Sequence, residues 1–286
     1  MRRVTYDLLR PAIPRGGVLF ASPHSGRDYP HDLLARTELS ETALRSSEDA
    51  FMDQLVGDAP ALGAALLLAR TPRAYVDLNR GADELDPAVI DGVRRLIHNP
   101  RVNSGLGVIP RVVANGQAIY RGKIPLAEAQ ARIATHWVPY HAMLRDLMAE
   151  HVARFGRAIL IDSHSMPHDA IVEFSQNSAG TPDVVLGDRF GAAADGTIVD
   201  EIAALFQAEG LRVARNTPFA GAYVTQRYGR PGQDQHVIQV EIDRALYMDE
   251  RQIMKRPNFE TLRATMRRIM AGIIDLGAAQ VPLAAE

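Results

Sequence analysis

The stretch Ala158-Ile159-Leu160-Ile161 followed by Asp162-Ser163-His164-Ser165-Met166-Pro167 constrains this chain more than any other. Four consecutive apolar residues, preceded by helical sequence and followed by a polar turn, read as a strand buried on both faces. Such strands belong to sheets covered by helices on both sides, and ligands in open α/β sheets bind beyond the strand carboxyl ends. His164 therefore emerges where chemistry is expected. An earlier stretch repeats the arrangement, since Gly17-Val18-Leu19-Phe20-Ala21 is apolar and Ser22-Pro23-His24-Ser25-Gly26 follows it. Two strand ends thus each present a histidine between serines.

Strand and helix signals alternate along the rest of the chain. Ser40 is placed to cap a helix running to about Gly63, with Leu44, Phe51, Met52, Leu55, Val56 and Ala59 on its inward face. Residues 66–70 and 74–77 read as short strands, 126–155 as the longest helix with a kink at Pro139, and 171–174 as a short alternating strand. Further strands are expected at 182–188, 211–214, 222–227 and 236–242, and helices at 198–209 and 258–277, the last with Asn258 as its cap. Residues 84–119 are rich in Gly, Pro and Asn and lack a period, which marks a loop-rich excursion of the kind that builds a pocket rim. No linker or repeat divides the chain. The expectation is one α/β domain over 1–286, a three-layer αβα sandwich with a mixed central sheet.

Composition narrows the chemistry. A formal charge of -2 with acids and bases interspersed leaves no basic tract, so no nucleic-acid partner is expected. No run reaches the length of a membrane span, and the first seven residues lack the apolar core of a secretion signal, so the expectation is a cytoplasmic protein with no membrane partner. Cysteine is absent, which removes thiolate nucleophiles and leaves any metal to histidine and carboxylate. Catalytic zinc takes three protein ligands and keeps a position open for water. His24 and His164 supply two nitrogens, and Glu48 or Asp49 is the source of the third ligand. Glu241, inside the apolar run 237–242, suits a general base because an unpaired carboxylate there is costly unless it faces a polar site. The alternative is that Glu241 alternates outward with Gln239 and Asp243. Arg80 and Asn79 suit recognition of a substrate carboxylate, with Arg227 and Arg244 as second candidates. His136, His141 and His151 read as surface or core-edge residues. No Gly-Xaa-Ser-Xaa-Gly elbow and no phosphate-cradling or dinucleotide fingerprint is present.

Five motifs carry a family resemblance: Ser22-Pro23-His24-Ser25-Gly26, Asp77-Leu78-Asn79-Arg80, Asp162-Ser163-His164-Ser165-Met166-Pro167, the stretch 221–229 (GAYVTQRYG), and Gln239-Val240-Glu241-Ile242-Asp243-Arg244 with Leu246-Tyr247-Met248. In this order they make the chain resemble the N-formylglutamate amidohydrolase family over nearly its whole length. The resemblance implies a fold like that of zinc carboxypeptidases and aspartoacylases, and hydrolysis of N-formyl-L-glutamate to formate and L-glutamate in histidine degradation. It implies one zinc ion, or another divalent metal, held by His24, His164 and an acidic third ligand, with Asp49 favoured over Glu48. It casts Glu241 as the base and Asn79 and Arg80 as holders of a substrate carboxylate, with Arg227 or Arg244 for the other. The partner is then a small N-acyl amino acid, and the oligomeric state stays open. The rivals are a deacylase of another N-acyl amino acid and a binder of an acidic metabolite that lacks turnover.

Overall fold

The computed structural model describes residues 5–94, 99–175 and 180–278. Residues 1–4, part of the stretch read for a secretion signal, and residues 95–98 of the 84–119 excursion lie outside the described residues. Seven strands, β1 (Tyr6–Leu9), β2 (Val18–Ser22), β3 (Ala65–Ala69), β4 (Ala158–Met166), β5 (Val184–Gly187), β6 (Val213–Arg215) and β7 (Gln235–Asp243), form one sheet in the order β1-β3-β2-β4-β7-β5-β6. The four central strands are parallel, β1 and β5 run antiparallel to β3 and β7, and β6 is parallel to β5. The sheet is therefore mixed, as expected.

Alternation along the strands divides the core in two. Phe20, Ile159, Ile161, Ile238 and Val240 face one way and pack under helices α2 (Met52–Leu55), α3 (Ala59–Leu62), α7 (Gly196–Ala208) and α9 (Phe259–Leu276). Leu19, Ala21, Leu160 and Val237 face the other way, against Tyr140, Leu144 and Leu147 of α5 (Val138–Phe155) and the apolar part of the excursion, Ile109 and Ile119. Each fully buried Leu, Ile or Phe contributes about 2 kcal/mol. The two cores, one on each face, hold the central strands rigid and so fix the side chains at their carboxyl ends. On the second face, Leu160 is followed at the same parity by Asp162 and His164, and Val237 by Gln239 and Glu241. Because β4 and β7 pair with Asp162 opposite Gln239 and His164 opposite Glu241, four polar residues gather at one place on the sheet.

Several expectations are corrected by the structure. The helix expected over 40–63 is broken into α1 (Glu41–Arg45), α2 and α3. Ser40 does cap α1, accepting from Ala43 N at 3.2 Å. The break follows because Asp49 N donates to His24 O at 3.0 Å and Phe51 takes a left-handed φ of 66°. Residues 74–77 form no strand: Ala74 and Tyr75 lie in a turn, and Asp77 N bonds to Val108 O at 2.9 Å. Residues 171–174 lie in helix α6 (His168–Ser175), and 223–227 lie in α8 (Tyr223–Tyr228), where a bond from Val224 N to Asn79 Oδ1 overrides local propensity. Helix α4 (Leu126–Arg132) continues into α5 through a π-helical turn, Ile133–Trp137, which accommodates the amide missing at Pro139. Asn258 does not cap α9 with its side chain; its Nδ2 donates to Leu246 O at 2.9 Å.

Candidate active site

A cavity of about 570 Å³ opens at the carboxyl ends of β2, β4 and β7. Its floor is made by the loop after β2, which carries His24, by the end of β4 with His164, and by the turn between α1 and α2, which carries Asp49. The ligand atoms of these three residues all lie within 4.8 Å of one another, and all three are buried. His164 Nδ1 is 3.0 Å and His24 Nδ1 3.5 Å from Asp49 Oδ2. The imidazole nitrogens pointing away are backed by carboxylates: His24 Nε2 lies 2.8 Å from Asp77 Oδ1 and His164 Nε2 3.0 Å from Asp162 Oδ2. A carboxylate accepting from Nε2–H fixes the tautomer in which Nδ1 carries the lone pair. His24 Nδ1 is buried without a hydrogen-bond partner, which is otherwise costly. Two imidazole nitrogens and a carboxylate oxygen converging in this way could hold a metal ion.

The electrostatics agree with that fit. Burial opposes charge at Asp49, yet the hydrogen bond from His164 and the neighbouring His24 imidazole hold its carboxyl well below the usual range. Burial also disfavours a charged His164, but Asp162 and Asp49 outweigh it and raise its pKa. A proton shared in this nest is what a metal cation displaces on binding. At Asp77 burial is again opposed, by Arg73 first and then by His24, so that it stays a carboxylate.

Glu48 does not join this group. Its carboxylate accepts from Tyr29 Oη at 2.6 Å and from Arg45 Nε at 3.2 Å, and the turn directs only Asp49 at the histidines. Glu241 lines the cavity and is 8% exposed. The outward alternative fails because the face shared by Gln239 and Glu241 is itself covered. Gln239 Nε2 donates to Glu241 Oε1 at 2.8 Å. Burial, reinforced by Asp49 and opposed by His164, raises the Glu241 pKa.

Asn79 is an organiser of the floor. Its Nδ2 lies 3.3 Å from His164 Nε2 and 3.4 Å from Gln239 Oε1, while its Oδ1 accepts from Val224 N, in the first turn of α8, at 2.8 Å. Arg80 is 6% exposed and lines the cavity; its Nε donates to Leu106 O and its Nη1 to Asn79 O, both at 2.8 Å. Among the described residues no carboxylate pairs with it. Arg244 also lines the cavity but is committed to Asp49 Oδ1 at 3.1 Å and Ser165 Oγ at 3.1 Å, so it positions the aspartate. Arg227 is exposed on α8 and is absent from the cavity lining, because the helical turn at 223–228 buries Val224 and Thr225 and sends Gln226 and Arg227 outward. His141 and His151 are buried and bonded to protein groups away from the floor: His141 Nε2 meets Leu78 O and His151 Nδ1 meets Leu147 O. His136 is half-buried and pairs with Thr71 Oγ1.

Asp77, Asp162 and Gln239 stand in motifs of the sequence but receive no role there, and Arg73 is not singled out at all. Asp162 was findable, since a carboxylate two residues before a histidine on a strand shares its face. Asp77 lies in a turn, and its contact with His24 spans 53 residues.

A helix-covered mixed sheet with a buried His-Asp-His group and a facing carboxylate at its carboxyl edge defines a class, that of hydrolases with a site able to hold a metal. The chain belongs to the N-formylglutamate amidohydrolase family, whose model matches residues 16–248, a span that includes every residue of the floor. It is an enzyme of the hydrolase type that acts on a linear amide. The N-formylglutamate deformylase of Pseudomonas aeruginosa is 29% identical over 266 residues, covering 91% of this chain and 93% of the relative. That of Pseudomonas putida is 26% identical, covering 89% and 92%. The crystal structure of N-formylglutamate amidohydrolase from Ralstonia eutropha JMP134 superposes with a TM-score of 0.89 at 33% identity, covering 96% of this chain and 98% of that one. Among the described residues, no helix is long and apolar enough to cross a membrane.

Proposed function

We propose that residues 1–286 act as one zinc-dependent hydrolytic domain that cleaves N-formyl-L-glutamate to formate and L-glutamate, a cytoplasmic step of histidine degradation. The observation that carries this reading is the pairing of His164 with Glu241 across β4 and β7, which sets a carboxylate beside the His24-Asp49-His164 group in one cavity. The names of the Pseudomonas and Ralstonia relatives support the substrate.

His24, Asp49 and His164 would hold the ion. Zinc bound there supplies a Lewis acid for the formyl carbonyl and brings the pKa of water toward neutrality. Asp77 and Asp162 keep both imidazoles turned with Nδ1 toward the ion, and Arg244 with Ser165 keeps Asp49 in place. Arg80 grips one carboxylate of the substrate and thereby orients the formyl group over the floor. Glu241 accepts a proton from the attacking water as the oxygen adds to the formyl carbon. It returns that proton to the amide nitrogen as the C–N bond breaks, so that formate and a free amine leave. Burial raises its pKa, which favours its taking up the proton from water.

The test is formate release by Glu241→Gln with zinc content measured on the same sample. The expected result is retained zinc and turnover reduced by about 10²–10⁴-fold. Full turnover with zinc bound would show that the base lies elsewhere, and cleavage of another N-acyl amino acid in place of N-formylglutamate by the unaltered enzyme would reassign the substrate.

A further inference from the structure

Four arginines line the cavity, Arg73, Arg80, Arg101 and Arg244. Two are neutralised within the protein. Arg73 Nε lies 2.9 Å from Asp77 Oδ2, and Arg244 Nη2 lies 3.1 Å from Asp49 Oδ1. The guanidinium of Arg80 meets only carbonyl oxygens. That of Arg101 meets no acceptor among the described residues, although its backbone is firmly held. Asn99 caps the short helix Pro100–Asn103 and accepts from Arg101 N at 2.9 Å. Leu106 joins the two cations, since its amide donates to Arg101 O at 2.8 Å and its carbonyl accepts from Arg80 Nε at 2.8 Å.

The excursion thus brings to the cavity a second guanidinium that, like that of Arg80, has no carboxylate in ion-pair contact among the described residues. Burial foremost, then the charges of Arg73 and Arg101, lowers the Arg80 pKa against the charges of Asp77 and Glu84, which raise it, so Arg101 adds to the positive field at Arg80. A ligand with one carboxylate relieves only one of these two cations. A ligand with two anionic groups relieves both, which is the situation of an N-acyl amino acid with an acidic side chain.

We propose that Arg101 is the specificity-determining residue of this site, binding the second carboxylate of a dicarboxylic N-acyl amino acid while Arg80 binds the first. The inference rests on the deacylase reading for the identity of the substrate, but binding tests it separately. Because Arg101 is exposed and makes no side-chain bond among the described residues, its replacement leaves the fold and the floor of the cavity intact.

The experiment uses the zinc-loaded Glu241→Gln protein, which holds substrate without consuming it, with and without Arg101→Ala. Calorimetry measures binding of N-formyl-L-glutamate and of N-formyl-L-glutamine, which has the same shape and a neutral side chain. Arg101→Ala should weaken binding of the glutamate compound about tenfold and that of the glutamine compound by less than about twofold, with Arg101→Lys restoring part of the loss. Equal weakening of both ligands, or of neither, overturns the proposal. If the unaltered enzyme releases no formate, the deacylase reading fails, while the contrast between the two ligands still decides the role of Arg101. If the parent protein binds neither compound, both are overturned.

Discussion

Asp77→Asn probes the support behind the metal group without touching a ligand. The Asp77 carboxylate is 1% exposed and accepts three bonds: from His24 Nε2 at 2.8 Å and Asn79 N at 2.8 Å on Oδ1, and from Arg73 Nε at 2.9 Å on Oδ2. An asparagine keeps the shape and one acceptor. If that oxygen stays on His24 and Asn79, the new amide group faces the Arg73 N–H, donor against donor, and the buried cation loses its counter-charge. Breaking such a pair costs about 3–5 kcal/mol when both partners are fully buried. Arg73 keeps 22% of its side chain accessible, so a value near the lower end, about 3 kcal/mol, is expected for the metal-free protein. Loss of the carboxylate behind a ligating imidazole also weakens zinc binding by about 10–100-fold. Urea unfolding of the metal-free protein reads the first quantity and chelator competition the second. Asp162→Asn is the control, because Asp162 backs His164 with no arginine on it; it should weaken zinc comparably while costing less stability. Unchanged zinc affinity and stability in Asp77→Asn would refute the reasoning.

Two further outcomes follow from buried charges. Arg80→Ala should raise KM for N-formylglutamate about 100-fold with a smaller effect on kcat, and Arg80→Lys should fall between, as steady-state formate release will show. His141 is held neutral between Leu78 O and Tyr228 Oη, and burial lowers its pKa to about 4. The unfolded chain binds this proton below about pH 6.5 whereas the folded chain does not, so stability is fully present above that pH and is lost as pH falls toward about 4. Denaturant unfolding across that window should show a decline of about 3 kcal/mol from this group, and His141→Gln should flatten it; an unaltered slope in the variant would assign the decline to other groups.

The sheet was legible wherever apolar residues run consecutively, since the strands 18–22, 158–166 and 235–243 must be buried on both faces and so must carry the polar residues at their ends to a fixed place. That is why His24, His164 and Glu241 could be picked out before any geometry. The proposed third ligand was legible only to within one residue, because whether Glu48 or Asp49 faces the two histidines depends on a backbone bond from Asp49 to the carbonyl of His24, a partner far away in sequence. The same bond explains the misjudged helix over 40–63, whose apolar period continues through a turn that the site requires. Residues 222–227 misled for a related reason. Tyr223, Val224 and Thr225 favour strands, but Asn79 Oδ1 holds the Val224 amide and Gln239 Oε1 the Ala222 amide, and the segment coils into the helix that sends Arg227 away from the cavity. Arg101 carried no signal, lying in an aperiodic stretch where only the folded chain shows which side chains meet the cavity.

The measurement that bears most directly on the proposed function is formate release from N-formyl-L-glutamate by the purified protein, with zinc counted per chain, before chelation, after it, and after zinc is restored. About one zinc per chain, with formate release that disappears on chelation and returns with the metal, is the predicted result. Formate release that persists in metal-free protein would contradict a zinc-dependent mechanism at His24, Asp49 and His164, and bound zinc without formate release would contradict the substrate.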